Sequence, residues 1–196
     1  MEITSTQQIL GGIAVAIGLL GYAFYVRGIL QGKVKPHAFS WFTWAVLTGI
    51  AFFAQVADGG GGGAWVTGIT AICSIGFAIV GLGKSARVYI SKVDWAFFIS
   101  ALVSIPVWYF SGNPLLSVII ITVVDAAAFA PTFRKGFYNP ETENIWTYAL
   151  SGIKFIFAMF ALGSFTWTTA LYPASLVLAN LAFVIVLLVR RNIKKI

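Results

Sequence analysis

The 196-residue sequence predicts an all-α integral membrane protein of seven transmembrane helices, with its N-terminus outside the cytoplasm and its C-terminus inside. Three observations predict it. Hydrophobic residues make up 59% of the chain and charged residues only 10%, with a mean hydropathy of +0.90, a balance foreign to soluble domains. The apolar residues gather into seven runs near span length, since a hydrocarbon core of roughly 30 Å takes about 20 helical residues. Finally, twelve of the thirteen Lys and Arg residues gather on one side, at alternate connections between those runs and in the C-terminal tail.

The first span runs from Ile9 to Ile29. It resembles a signal peptide only superficially, because Glu2 and no basic residue precedes it and no small-residue cleavage pattern follows, so it reads as a retained helix. Arg27, Lys33 and Lys35 mark its far end, and the second span covers Ala38 to Ala57. The next connection, Asp58 to Gly63, has no cation but five consecutive glycines. Without side chains to order it, it is expected to be a slack outer loop, and it lacks the Lys, Ser and flanking strand of a phosphate cradle. Span three, Ala64 to Leu82, ends in Lys84, Arg87 and Lys92; span four runs from Val93 to Phe110 into the cation-free Ser111 to Pro114. Span five, Leu115 to Phe133, meets Arg134 and Lys135. Span six, Ile145 to Leu162, meets the cation-free Gly163 to Phe165, and span seven, Trp167 to Val189, meets Arg190, Arg191, Lys194 and Lys195.

Lys and Arg resist translocation and collect in cytoplasmic loops, so this partition sets the orientation. Adding or removing one helix would scramble it. The net charge of +7 is thus a topology signal, with anionic lipid as its partner and no nucleic acid implied. Trp65, Trp95 and Trp167, near span ends, suit the interfacial belt. Cys73 is the single cysteine and forms no internal disulfide.

An internal repeat organises the spans. A shift of 104 residues lays Gly32 on Gly136, Pro36 on Pro140, Thr43 on Thr147, Trp44 on Tyr148, Phe53 on Phe157 and Ala54 on Ala158, basic loop upon basic loop; a shift of 103 instead matches Gly49 and Ile50 to Gly152 and Ile153. Two three-helix units have the same orientation only when an odd helix joins them. The predicted plan is therefore 3+1+3: residues 1–88, a linker helix in 89–112, and residues 113–196 with the basic tail. Parallel repeats of this kind place a solute site between the halves near the midplane.

The first loop of each half carries a resemblance. Ala130-Pro131-Thr132-Phe133-Arg134-Lys135-Gly136, then Asn144 and Trp146, resembles the PQ-loop signature of a Pro-Gln pair, a basic turn and a polar, aromatic helix start. Thr132 stands where that signature has Gln. In the first half Val26-Arg27, Gly32-Lys33 and Ser40-Trp41 keep the turn without the Pro-Gln pair. The 3+1+3 plan is similar to that of SWEET sugar transporters, lysosomal PQ-loop amino-acid exporters and nicotinamide riboside transporters. The resemblance implies alternating access for a small solute. It also implies a solute-contacting Asn on the third helix of each half, which falls on Asn180, with Ser74 as its counterpart. Pro106, Pro131 and Pro173 fall within or near helices four, five and seven, where a missing amide hydrogen bond permits a bend, and Pro131, at the PQ-like position, is the best hinge candidate. Bonding to a neighbouring helix is the alternative for Asn180.

Charges inside a bilayer are costly and are functional candidates by default. Asp125 lies about nine residues from Arg134 and Lys154 about ten from Asn144, so at 1.5 Å per residue both sit roughly 14 to 15 Å deep. They are expected either to line the solute pathway or to form a static ion pair between adjacent helices five and six. Trp44 and Tyr148, aligned by the repeat, either stack on a solute or pack the core. His37 sits at the cytoplasmic rim, solvated or gating.

The expected function is transport or facilitated movement of a small polar solute. No cofactor, metal site or catalytic residue is expected, the intramembrane inventory having no His pair, no ligand cluster and no Ser with a base in reach. An opsin-like sensor would need Lys154 to replace a lysine on the last helix, and an accessory structural protein needs neither charge. The expected location is the plasma or inner membrane of a prokaryote, as a monomer with a complete pathway or as a homo-oligomer.

Overall fold

The computed structural model describes residues 5–32, 38–84 and 92–193. Lys33, Lys35, Pro36, His37, Arg87, Lys194 and Lys195 lie outside them. Among the described residues there are seven α-helices, one 3-10 turn and no strand: α1 Ser5–Leu30, α2 Ala38–Ala57, α3 Gly61–Lys84, α4 Lys92–Ser111, α5 Pro114–Tyr138, α6 Ile145–Phe160 and α7 Trp167–Ile193, with the turn Pro140–Thr142 between α5 and α6.

Helices α1, α2, α3, α5 and α7 are long and apolar enough to cross a membrane; α6 and the apolar stretch Trp95–Ser111 of α4 are shorter. At 1.5 Å per residue the 16 residues of α6 reach about 24 Å, less than the roughly 30 Å core. The backbone that follows α6 is not left bare, however. Ala161 N–H bonds the Phe157 carbonyl, the Ala161 carbonyl accepts from Gly63 N–H, and the Leu162 carbonyl accepts from the Gln7 side chain at 2.8 Å. Irregular backbone at depth needs such protein partners.

The molecule is inside out relative to a water-soluble bundle. Ile9, Leu20, Ile72, Ile79, Val123 and Leu178 are exposed, whereas Gln55, Asp125, Lys154 and Asn180 are buried. Where hydrocarbon replaces water as solvent, polar groups must find partners within the protein. Together with the helix lengths this is a helical membrane protein.

Small residues let the helices approach. Along α1 the buried positions Gly11, Ala14, Gly18 and Gly21 recur every three or four residues and form one face. A side chain at Gly11 would come within 3.1 Å of the Gly62 carbonyl oxygen on α3, and Gly21 opposes Leu150 on α6. Helix α3 packs on both α1 and α2, and α7 on both α5 and α6. Contacts between these groups run through α1 with α6, α2 with α5, α3 with α6 and α2 with α7, while α4 lies against α5 and α2.

One end of the bundle gathers the C-terminal ends of α1, α3, α5 and α7 with the first turns of α2, α4 and α6. Tyr25 meets Trp41 and Phe77, Phe39 meets Trp95, and Arg190 Nε donates to the Phe137 carbonyl at 2.9 Å. Arg191 bonds the carbonyls of Pro140 and Glu143 at 2.9 and 2.6 Å. These two arginines, which the sequence marks only as topology cations, also tie down the α5–α6 connection. Helix α5 accordingly continues to Tyr138, five residues beyond the expected stop at Phe133, and Pro131 falls inside it.

Candidate functional site

Between the two groups of helices lies a cavity of about 250 Å³, lined from α1, α2, α3, α5, α6 and α7. Trp44, Ser74, Asp125, Tyr148, Lys154 and Asn180 all line it. Six positions spread over 137 residues of sequence therefore converge on one space.

Lys154 enters the cavity from the middle of α6. Its stem passes directly over Gly18 of α1, where a Cβ would come within 3.0 Å of its Cδ; the missing side chain makes the path. The ammonium then donates to Tyr22 Oη at 3.1 Å and Thr70 Oγ1 at 3.0 Å. Thr70 spends its own proton on the Val66 carbonyl at 2.8 Å, which leaves its lone pairs for the lysine. The Tyr22 and Phe155 rings stand 4.8 and 4.6 Å from Nζ, within cation–π range.

Asp125, 3% exposed on α5, lines the cavity together with Trp44 of α2. It forms no ion pair with Lys154, and among the described residues no carboxylate lies within ion-pair distance of that ammonium. The expectation of a static pair assumed that α5 and α6, consecutive in sequence, pack together. Their backbones stay apart, although the rings of Phe129 and Tyr148 meet at 6.5 Å: α7 packs on both helices, and Lys154 reaches into α1 and α3 instead. Two opposite charges thus share one cavity unpaired.

Asn180 is buried, and its amide donates to the Leu176 carbonyl of its own helix at 2.8 Å, not to a neighbouring helix. Ser74 likewise bonds back to the Thr70 carbonyl at 2.8 Å. Tyr148 Oη donates to Glu143 at 3.0 Å, and its ring packs edge-on against Phe183 at 4.5 Å. Trp44 stacks edge-on against Trp41 at 5.1 Å. Sequence reasoning passed over Tyr22, Trp41, Thr70 and Tyr172, which also line the cavity. The small-residue face of α1 was the available signal for Tyr22, because a stripe of Gly and Ala marks where a neighbour comes close. Pro131 falls in the last third of α5.

From the level of Lys154 the lining runs toward the end that holds Tyr25, Trp41, Thr147 and Tyr148. Toward the other end the space is closed by bonds between the two groups of helices. Gly63 N–H donates to the Ala161 carbonyl at 2.9 Å, Gly163 N–H to the Gly60 carbonyl at 3.2 Å, and Gln55 Nε2 to the Thr169 carbonyl at 2.9 Å; Thr166 Oγ1 bonds Asp58. The glycine run is therefore not slack. A Cβ at Gly62 would stand 2.8 Å from the Gln7 carbonyl oxygen, and one at Gly63 would collide with the Ala158 carbonyl oxygen. Gly61 to Gly63 begin α3, and their missing side chains let backbone meet backbone.

Among the described residues no group of three His, Cys, Asp or Glu side chains could hold a metal ion. No protein-family model, curated protein or solved structure matches the chain.

Proposed function

We propose that the chain is a transporter or facilitator of a small polar solute, working by alternating access between residues 1–88 and 113–196 about the central cavity, with the N-terminus outside and the C-terminus in the cytoplasm. The observation that carries this reading is the cavity itself: two unpaired opposite charges and several hydroxyls, buried between the two helix groups and closed toward one end. A purely structural interior would be expected to pair or omit those charges.

The packing supports a 3+1+3 repeat. If α1, α2 and α3 exchange with α5, α6 and α7, the pair α1–α6 becomes α5–α2 and the pair α3–α6 becomes α7–α2, all of which are in contact. Helix α4 supplies no described residue to the cavity, as suits a linker. On this basis all seven helices cross the bilayer, the short α6 included. The end bearing Arg27, Lys92, Arg134, Arg190 and Arg191 faces the cytoplasm, which makes the cavity one that communicates inward while its outer side is closed. The PQ-loop and SWEET-like resemblance belongs to the same proposal, with Pro131 as its hinge. An opsin-like sensor is less well supported, because Lys154 is engaged with Tyr22 and Thr70.

The test is uptake into proteoliposomes containing the purified chain, over a panel of sugars, amino acids, nucleosides and organic acids. Saturable uptake of one class, lost in Asp125→Asn or Lys154→Gln, is the expected result. If no solute in the panel is moved or stabilises the protein, and both variants only lower its melting temperature, transport is the wrong reading. Orientation is checked separately with C-terminal reporters: a fluorescent protein should be bright there, and a periplasmic phosphatase inactive.

A further inference from the structure

We propose that the cavity's solute is a small organic monocarboxylate, its carboxylate seated on Lys154 Nζ and its body held between aromatic walls. The inference rests on the transporter reading for the solute's passage and goes beyond it in naming the chemical class.

The argument begins with the charge on Lys154. The side chain is 3% exposed, and an ammonium has three N–H donors and a full positive charge to satisfy. Tyr22 and Thr70 occupy two donors with neutral oxygens, and the rings of Tyr22 and Phe155 add a weaker attraction. No described carboxylate pairs with it. A buried cation with neutral partners alone is incompletely compensated, and an anion entering the cavity would supply the missing partner in a charge-assisted bond.

The rest of the lining narrows the anion. Lys154 is the only cation among the described residues that line it, and Asp125 shares the space, so a doubly charged phosphate ester would carry surplus negative charge toward a carboxylate. A monoanion brings no charge beyond the one that Lys154 matches. A chloride-sized ion would leave most of the roughly 250 Å³ unused, whereas Trp44, Phe129, Phe155 and Tyr172 offer faces and edges to a planar organic body. A benzoate-sized acid has the right charge and fits that description.

The experiment uses the full chain purified in detergent and three near-isosteric probes of different charge: benzoate, benzamide and benzamidinium. Dissociation constants are read by titration calorimetry, in gluconate buffer and again in chloride. Benzoate should bind at least about tenfold more tightly than benzamide, the margin of one charge-assisted bond over a neutral one, and benzamidinium should not compete. In Lys154→Gln the benzoate advantage should vanish. Should that variant fail to fold, the charge series on the native chain decides alone. The proposal is overturned if benzamide or benzamidinium binds as well as benzoate, or if Lys154→Gln keeps the native preference. It is equally overturned if chloride displaces benzoate at comparable concentration, or if none of formate, acetate, benzoate and phenylacetate binds. The two readings fail separately: proteoliposomes that take up a neutral sugar but no carboxylate keep the transporter and sink the carboxylate, while benzoate bound at Lys154 but never moved does the reverse.

Discussion

Thr67 and Thr70 lie one turn apart on α3, both buried, with opposite situations. Thr70 Oγ1 accepts from Lys154 and donates to the Val66 carbonyl, whereas Thr67 Oγ1 has no hydrogen-bond partner among the described residues. Valine keeps the shape of threonine and removes the hydroxyl. Thr70→Val is therefore expected to lower the melting temperature in detergent, having lost an interhelical bond worth about 1 kcal/mol in membrane proteins. Thr67→Val should leave it unchanged or raise it, since only an unsatisfied polar atom is removed; equal destabilisation of both would contradict the assignment of partners. This contrast also shows what could be read from the sequence. Asp125, Lys154 and Asn180 stand out because charged and amide groups are rare in apolar helices, and all three line the cavity. Threonine and tyrosine are ordinary residues in such helices, so nothing in the sequence separated Thr70 from Thr67 or picked out Tyr22.

Helix spans were largely legible because apolar runs of near-bilayer length have few alternative explanations; helix ends and neighbours were not. The stop expected at Phe133 ignored Arg190, 57 residues further on, which bonds the Phe137 carbonyl and helps the last turn of α5 persist. The adjacency of α5 and α6 was inferred from a short connection, yet each packs chiefly on α7, and the two meet through rings such as Phe129 and Tyr148. The glycine run misled for a definite reason: glycine serves either a chain that needs freedom or a backbone that needs closeness, and composition does not distinguish the two. Substitution does. At Gly12 a Cβ would meet nothing within 4 Å, so Gly12→Ala should be neutral or slightly stabilising. At Gly63 the added methyl meets the Ala158 carbonyl oxygen and Leu162, so Gly63→Ala should cost about 1–3 kcal/mol by overpacking. That cost falls on the closed arrangement, and the junction should open. In a Cys73→Ser background, Ser164→Cys should react faster with a membrane-impermeant maleimide when Gly63→Ala is present and no faster with Gly12→Ala. A merely unstable protein would show lower yield without that difference.

At the scale of the molecule, the bonds that close the end of the bundle opposite Tyr25 all join residues before position 64 to residues after position 160: Gln7 to Leu162, Gln55 to Thr169, Asp58 to Thr166, Gly63 to Ala161 and Gly60 to Gly163. The cavity, by contrast, is lined toward the other end by Tyr25, Trp41, Thr147 and Tyr148, so the two helix groups meet in a closure on one side and a chamber on the other. If they rock against each other, these bonds must break in every cycle, and a covalent link there should stop movement while sparing the chamber. Asp58→Cys with Thr166→Cys, again in the Cys73→Ser background, places two thiols where the side chains already touch. Oxidation should abolish solute uptake in proteoliposomes, reductant should restore it, and equilibrium binding of the solute in detergent should persist because Lys154 and Asp125 are left in place. Full uptake by the oxidised protein, with the cross-link confirmed by mass spectrometry, would mean that the closure does not open during the cycle. The solute would then have to follow a route that leaves this junction intact, and the rocking of one half against the other would have to be abandoned.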